Sequence, residues 1–212
     1  MSPFFSLILR QTVRVAFRKG GGAFGTMAFY IIIVTLFTFD LGPQSMREHA
    51  GAVMCVGLLL SSITALPLFY ERDFEDGTLE QFLLQPVMLE TLVLAKICGQ
   101  WLANIAPILV LSPLLAVMSN LDSGQILHVM KLLVLASPTI ISMGSIVAAL
   151  TLGAKRGGLL QPLVVMPFYI PVLIFAASAE EKGSIMFLSG MLFASLPLSC
   201  FISAALIRIS QD

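Results

Sequence analysis

The residues of this chain that are best suited to bind something lie in one polar stretch between hydrophobic runs, which we call the acidic segment, residues 71–86. It is a long polar interruption in an otherwise apolar sequence, and it carries one base, Arg72. Its five acids are Glu71, Asp73, Glu75, Asp76 and Glu80. Carboxylates at this density are suited to recognising a basic partner surface.

The second half of the acidic segment has the pattern of a short helix. Gly77 interrupts what precedes it, Thr78 is a natural N-cap, and Gln81 stands where a capping box requires it. One helical face would carry Leu79, Phe82 and Leu83. A helix of about seven residues is too short to be stable alone in water. The segment is therefore either a docking helix held between membrane spans and a partner, or a capped, solvated loop.

A second group of polar residues, which we call the polar stripe, consists of Lys96, Gln100 and Asn104. Their spacing of four places them on one face of a helix. A charge at mid-membrane costs about 3 kcal/mol, so this face should meet protein or water instead of lipid. Lys96 is near enough to a helix end for its amine to reach the interface. The stripe predicts either hydrogen bonds between helices or the lining of a substrate path.

The other reactive residue types do not form a recognisable site. Three cysteines, Cys55, Cys98 and Cys200, stand singly in apolar runs and are typical of small core residues. His49 and His128 are isolated, without a second ligand at metal spacing, which is typical of interface histidines. The glycine-rich run at 20–26 lacks the lysine of a phosphate loop. We therefore predict no catalytic residue, no metal site and no nucleotide site in this chain.

Composition places these residues in an all-α polytopic membrane protein. The chain has 212 residues, 58% hydrophobic and 11% charged, whereas a soluble domain has about 25% charged residues. We predict a single transmembrane domain, 1–212, with Pro107 and Pro113 kinking the third span near its outer end. Three prolines make the fifth span irregular. The six predicted spans are 24–42, 51–69, 88–118, 127–152, 159–178 and 185–206.

The stretch 4–19 predicts an amphipathic helix at the membrane interface. Arg10, Arg14 and Arg18 share one face, opposite an apolar one. An elbow helix that anchors a transporter half fits the same pattern. With the N-terminus inside, eight Lys and Arg residues lie on the cytoplasmic side and three outside, which predicts cytoplasmic termini and a cytoplasmic acidic segment. A net charge of zero gives no indication of nucleic acid binding.

The acidic segment, with GTLEQ at its centre, looks like the coupling helix of ABC-type export permeases. Over nearly its whole length the chain resembles the CcmB family, the haem exporter B proteins of cytochrome c maturation. The stretches that carry the resemblance are RVAFR at 14–18, LFYERDFEDGTLEQ at 68–81, LAKICGQW at 94–101, LSPLLA at 111–116, KRGGLL at 155–160, MPFYIPVLIF at 166–175 and AALIRIS at 204–210.

The resemblance implies a bacterial inner-membrane permease subunit that works as a homodimer with a separate ATPase subunit, which binds the ATP. It also implies the C and D proteins of cytochrome c maturation and the periplasmic haem chaperone as partners. Within the acidic segment, Thr78, Leu79, Glu80 and Phe82 would contact a groove on the ATPase, with Gly77 setting the start of the helix. The acids Glu71, Asp73, Glu75 and Asp76 would face basic residues beside that groove.

Two questions stay open at the level of sequence. Haem is the implied substrate, yet no residue here is a persuasive haem ligand, and no cofactor is assigned to the chain itself. ATP-driven motion could instead dislodge a haem-loaded chaperone from the maturation C protein without any substrate crossing this chain. The rival interpretation is a stand-alone channel or secondary transporter for a small solute, for which residues 71–86 would be dispensable.

Overall fold

The structure, a computed structural model, describes residues 3–18, 22–83, 88–153, 157–177 and 181–210. The regular elements in these ranges are helical, and no strand occurs in them, so the all-α prediction is confirmed. The α-helices are α1 (Pro3–Arg18), α2 (Gly22–Ile63), α3 (Glu71–Glu75), α4 (Thr78–Leu83), α5 (Leu89–Gln100), α6 (Ala106–Met118), α7 (Ser123–Leu150), α8 (Gly157–Ala177) and α9 (Glu181–Ile209).

Four helical stretches of the described chain are long and apolar enough to cross a membrane. They are Gly22–Gly42, Leu89–Met118, Ser123–Leu150 and Gly183–Ile209, and they coincide with the first, third, fourth and sixth predicted spans. The predicted fifth span corresponds to α8, whose apolar part, Leu160–Ala176, is shorter. The predicted second span, 51–69, begins inside α2. A polytopic membrane protein is thereby supported, and the count of six spans stays a prediction.

α2 is bent at Gly42, so that the first predicted span lies before the bend and most of the second lies after it. This glycine has φ 69° and ψ 171°, outside the helical region, and helix resumes beyond it. Proline at position 43 explains the bend, because a residue before proline is driven out of the α conformation. The predicted loop between the spans, 43–50, is helical, since its sequence contains no other helix breaker.

The third predicted span is irregular near its middle instead of its outer end. A π-helical turn, Trp101–Ile105, separates α5 from α6, and Pro107 stands in the first turn of α6. Proline lacks a backbone N–H, so the preceding turn cannot keep a regular hydrogen-bond ladder. π-Helical turns within α-helices often occur at functional sites. Here the turn contains Asn104 of the polar stripe, which is fully buried.

α7 forms the centre of the bundle. In the most apolar 18 residues of α7, 72% of the residues are buried. In the corresponding parts of Gly22–Gly42 and Gly183–Ile209, only 22% are buried. It packs against α2, α8 and α9. The outward-facing parts of α2 and α9 carry large exposed apolar side chains, among them Phe39 and Phe193. Such faces suit lipid or other membrane helices.

α1 is amphipathic as predicted, and its apolar face packs on α5 of the same chain. Ile8 and Ala16 are buried, whereas Arg10 and Arg14 are exposed. The two helices approach closely at Gly99, where a Cβ atom would lie 2.8 Å from the Cβ of Thr12. Glycine at this position allows α1 to lie directly against the helix that carries the polar stripe. The last residue of the predicted stretch, Lys19, lies outside the described residues.

Replacing Gly99 with alanine should loosen this contact. The new methyl group would meet the Cβ of Thr12, which can retreat only if the helix backbone moves. Overpacking of this kind costs about 1–3 kcal/mol, so we expect the melting temperature of the detergent-solubilised chain to fall by roughly 3–10 °C. Gly190→Ala is the matched control, since its Cβ would have no neighbour within 4 Å. Equal melting temperatures for the two variants would contradict close packing of α1 on α5.

Candidate functional site at the acidic segment

The acidic segment folds as two short helices, α3 and α4, joined at Asp76 and Gly77. Gly77 has φ 69°, a left-handed conformation that glycine adopts without strain. The predicted interruption at this residue is therefore present. Thr78 is the first residue of α4 instead of the residue before it. The helix in the first half was not predicted, although acids in the first turn, Glu71 and Asp73, favour a helix N-terminus.

Exposure divides the acidic segment into an outer and an inner side. Glu75, Asp76 and Glu80 are exposed, and so is Gln81. Leu79, expected to contact a partner, is fully buried within this chain. Its apolar side chain is therefore covered by this chain itself, and the side chains open to contact from outside are the exposed ones. The side chain of Phe82 and the end of the predicted segment at 84–86 lie outside the described part of the chain.

Asp73 lies on the inner side and is paired with the polar stripe. The Lys96 ammonium forms an ion pair with its carboxylate, and the Lys96 and Asp73 side chains are 6% and 25% exposed, respectively. Lys96 Nζ also donates a hydrogen bond to the Phe69 carbonyl at 2.8 Å and lies 5.4 Å from the centroid of the Tyr70 ring. The lysine of the stripe therefore reaches the base of the acidic segment, where it is buried within the protein.

The remainder of the polar stripe is hydrogen-bonded within the protein. Gln100 Nε2 donates to the carbonyl of Leu68 at 2.8 Å, in the 3₁₀ turn that precedes the acidic segment. Asn104 Nδ2 donates to the side-chain carbonyl of Gln100. Thr26 Oγ1 lies 3.4 Å from Asn104 Oδ1, which links the stripe to α2. All three stripe residues are buried, so the geometry favours interhelical hydrogen bonding over a substrate path.

A small polar cavity of about 40 Å³ lies between α1, the stripe and the acidic segment. Gln11, Arg72, Asp73 and Lys96 are among the residues that line it. A space of this size and polarity can hold at least one water molecule. Arg72, the one base of the segment, therefore borders the same space as the ion pair.

Tyr70 ties the base of the acidic segment to the centre of the bundle. Its hydroxyl oxygen lies 2.7 Å from Ser145 Oγ of α7, which lies 3.2 Å from Ser203 Oγ of α9. Burial raises the pKa of the Tyr70 phenol well above its ordinary value, so the hydroxyl stays protonated and available as a donor. The segment is thus attached to α5, α7 and α9 through residues 68–73.

The histidines lie away from the acidic segment, at the other end of the α5–α6 helix pair. His49 is exposed, and His128 is half-buried beside a cavity of about 310 Å³ that Arg47 and Glu48 also line. Arg47 Nε donates to the Asn120 carbonyl at 2.9 Å. Within the described ranges, no three His, Cys, Asp or Glu side chains gather as a metal site would require.

Comparison with known proteins gives one consistent result along nearly the whole chain. A family model described as "CcmB protein" matches residues 3–210. "Heme exporter protein B" of Rhodobacter capsulatus is 35% identical over 213 residues, covering 96% of this chain and 98% of the relative. The protein of the same name from Pseudomonas aeruginosa is 35% identical, covering 99% of this chain and 99% of the relative. The one from Escherichia coli K12 is 37% identical, covering 97% of this chain and 98% of the relative.

Proposed function

Because the chain belongs to the CcmB family, we propose that it is the membrane-embedded permease subunit of a haem exporter complex in cytochrome c maturation, driven by ATP hydrolysis on a separate ATPase subunit. The observation that carries this proposal is the build of the acidic segment. Its outer side presents exposed carboxylates, while its base is fixed to the membrane helices by Tyr70, Asp73 and the carbonyls of residues 68 and 69. When a partner displaces a segment built in this way, the membrane helices attached to its base move with it.

The proposed arrangement is a six-span subunit in the bacterial inner membrane with both termini in the cytoplasm. The distribution of Lys and Arg supports this orientation, which places the acidic segment on the side where ATP is available. Exposed Arg10 and Arg14 of α1 would then face lipid headgroups at the cytoplasmic interface, while the opposite face of α1 rests on α5.

The ATPase would contact the outer side of the acidic segment. Glu75, Asp76 and Glu80 would meet basic residues at the rim of a groove on the ATPase, where complementary charge sets orientation and rate of association more than affinity. In a homodimer of this chain, closure of two ATPase subunits on ATP would displace both acidic segments and bias the spans between two arrangements. The maturation C and D proteins and the periplasmic haem chaperone complete the proposed complex.

The ATP-driven displacement of the acidic segments could have two results that are compatible with the sequence. Either haem passes through this chain, or the haem-loaded chaperone is released. The polar stripe bears on the choice, because its three side chains are buried and already hydrogen-bonded inside the protein. A path lined by the stripe would require those bonds to break. This favours chaperone release, with haem as the cargo of the complex.

A tagged chain purified gently from its own membranes tests the proposal. Mass spectrometry of the co-purified proteins should reveal an ATPase together with the maturation C and D proteins, and a haem spectrum should be lost when those partners are removed. A chain that purifies alone under every nucleotide condition would contradict the permease assignment. The stand-alone channel or secondary transporter would then be the better explanation.

A further inference from the structure

Beside the link from Tyr70 to α7, three attachments at the base of the acidic segment meet one face of α5. Lys96 binds the Phe69 carbonyl and the Asp73 carboxylate, and Gln100 binds the Leu68 carbonyl. The Asp73–Lys96 contact differs from the others, because its acid belongs to α3 itself. The two carbonyls belong to the turn that precedes the acidic segment.

We propose that Asp73 and Lys96 are positioning residues that transmit movement of the acidic segment into the membrane helices. This inference rests on the proposed function and deepens it, since it names the contact through which ATP-driven motion would reach the spans. Lys96 is almost completely buried, and a buried charge separated from its counter-ion is strongly unfavourable. When α3 is displaced, α5 must therefore follow Asp73 instead of releasing it.

The route inward from Lys96 is continuous. Gln100 and Asn104 lie one and two turns further along the same helix face, and Asn104 lies within the π-helical turn 101–105. Its partner Thr26 belongs to α2. A π-helical turn is a place where a helix can change its hydrogen bonding locally. A shift of α5 at Lys96 would thus change the contact between the π-helical turn and α2.

The two charges are buried unequally, and this asymmetry makes the pair testable. Asp73→Asn leaves the buried Lys96 ammonium without a counter-ion, so the amount of protein in the membrane should fall. Lys96→Met leaves a carboxylate that is 25% exposed and borders a polar cavity, so it can be hydrated and the loss should be smaller. The double variant Asp73→Asn/Lys96→Met removes both charges and should restore the amount of protein.

The experiment co-expresses each variant with the complete complex in cells that lack the native chain. Three quantities are measured: the ATPase co-purified per chain, the rate of ATP hydrolysis, and the amount of holocytochrome c. For the double variant we expect the chain level and the co-purified ATPase within about twofold of the wild type, as for a change that leaves the fold intact. We expect ATP hydrolysis to continue while holocytochrome c falls about tenfold, since the coupling contact is absent.

Two further variants separate transmission from structure. Asp73→Glu keeps the ion pair with Lys96 and should retain most of the holocytochrome c, whereas the double variant, which is also stable, should not. Glu48→Gln makes the same acid-to-amide change at an exposed position remote from the pair and should leave all three quantities unchanged.

Normal holocytochrome c in the double variant would overturn the inference and leave the proposed function standing. Loss of the ATPase from the double variant would also overturn it, because the pair would then only shape the docking surface. Failure of the wild-type chain to bring down an ATPase would instead remove the proposed function itself.

Discussion

Replacing Gly77 with valine should weaken binding of the ATPase and thereby cytochrome c assembly. Gly77 has φ 69°, a conformation from which a β-branched residue is excluded, and a left-handed residue costs about 1–2 kcal/mol even without branching. The chain would leave α3 in another direction, and α4 would no longer present Glu80 and Gln81 beside Glu75 and Asp76. We expect ATPase co-purification and holocytochrome c to fall about tenfold or more, within the usual range of coupling effects.

Gly77→Asn is the matched control for this change. Asparagine tolerates positive φ better than other side chains, and a Cβ at this position would meet no atom within 4 Å. Any loss in the valine variant is therefore attributable to backbone conformation and not to a collision. Holocytochrome c at the wild-type level in the valine variant, at normal chain abundance, would show that the junction between α3 and α4 is not needed.

Leu79 and Glu80 are neighbours in α4, and their substitutions should fail in different ways. Leu79 is fully buried, so Leu79→Ala should cost about 2–5 kcal/mol and loosen α4 from the rest of the chain. Glu80 is exposed, so Glu80→Lys should leave the melting temperature unchanged while reversing a charge that we propose faces the ATPase. Both variants should lose co-purified ATPase, the first together with thermal stability and the second without it.

Melting temperature and ATPase co-purification, measured on the same preparations, separate these two outcomes. A Leu79→Ala chain that melts like the wild type would contradict the burial of Leu79. A Glu80→Lys chain that keeps its full complement of ATPase would show that the exposed acid of α4 is not part of the contact.

The sequence predicted the local features of the fold well, because spacing rules describe a single helix. The helical class, the break at Gly77 and the shared face of Lys96, Gln100 and Asn104 all follow from short-range patterns. For α1, the predicted division into a basic and an apolar face is confirmed, with Arg10 and Arg14 exposed and Ile8 and Ala16 buried. The sequence did not reveal that the apolar face lies on α5, because lipid and a neighbouring helix both accept apolar side chains.

Contacts between distant residues could not be predicted in the same way. Asp73 and Lys96 belong to different helices, and their pairing depends on the turn of residues 66–70, which brings the Asp73 side chain within reach of Lys96. Asp73 was therefore expected among the acids that face a partner. The same limit applies to Leu79, since the spacing of α4 indicates an apolar face without showing what covers it. Glycine at position 99 was a signal for close helix packing, although its partner Thr12 lies in a separate helix.

The most direct test of the proposed coupling is site-specific photo-crosslinking from α4. A photoreactive amino acid replaces Gln81, which is exposed on α4, in a chain co-expressed with its partners. The same amino acid at Glu48, exposed at the other end of the bundle, is the control. If the acidic segment is the cytoplasmic contact of the permease, light should join position 81 to the ATPase and leave position 48 unlinked to it. An intact complex in which position 81 gives no ATPase adduct, or in which position 48 gives one, would contradict it.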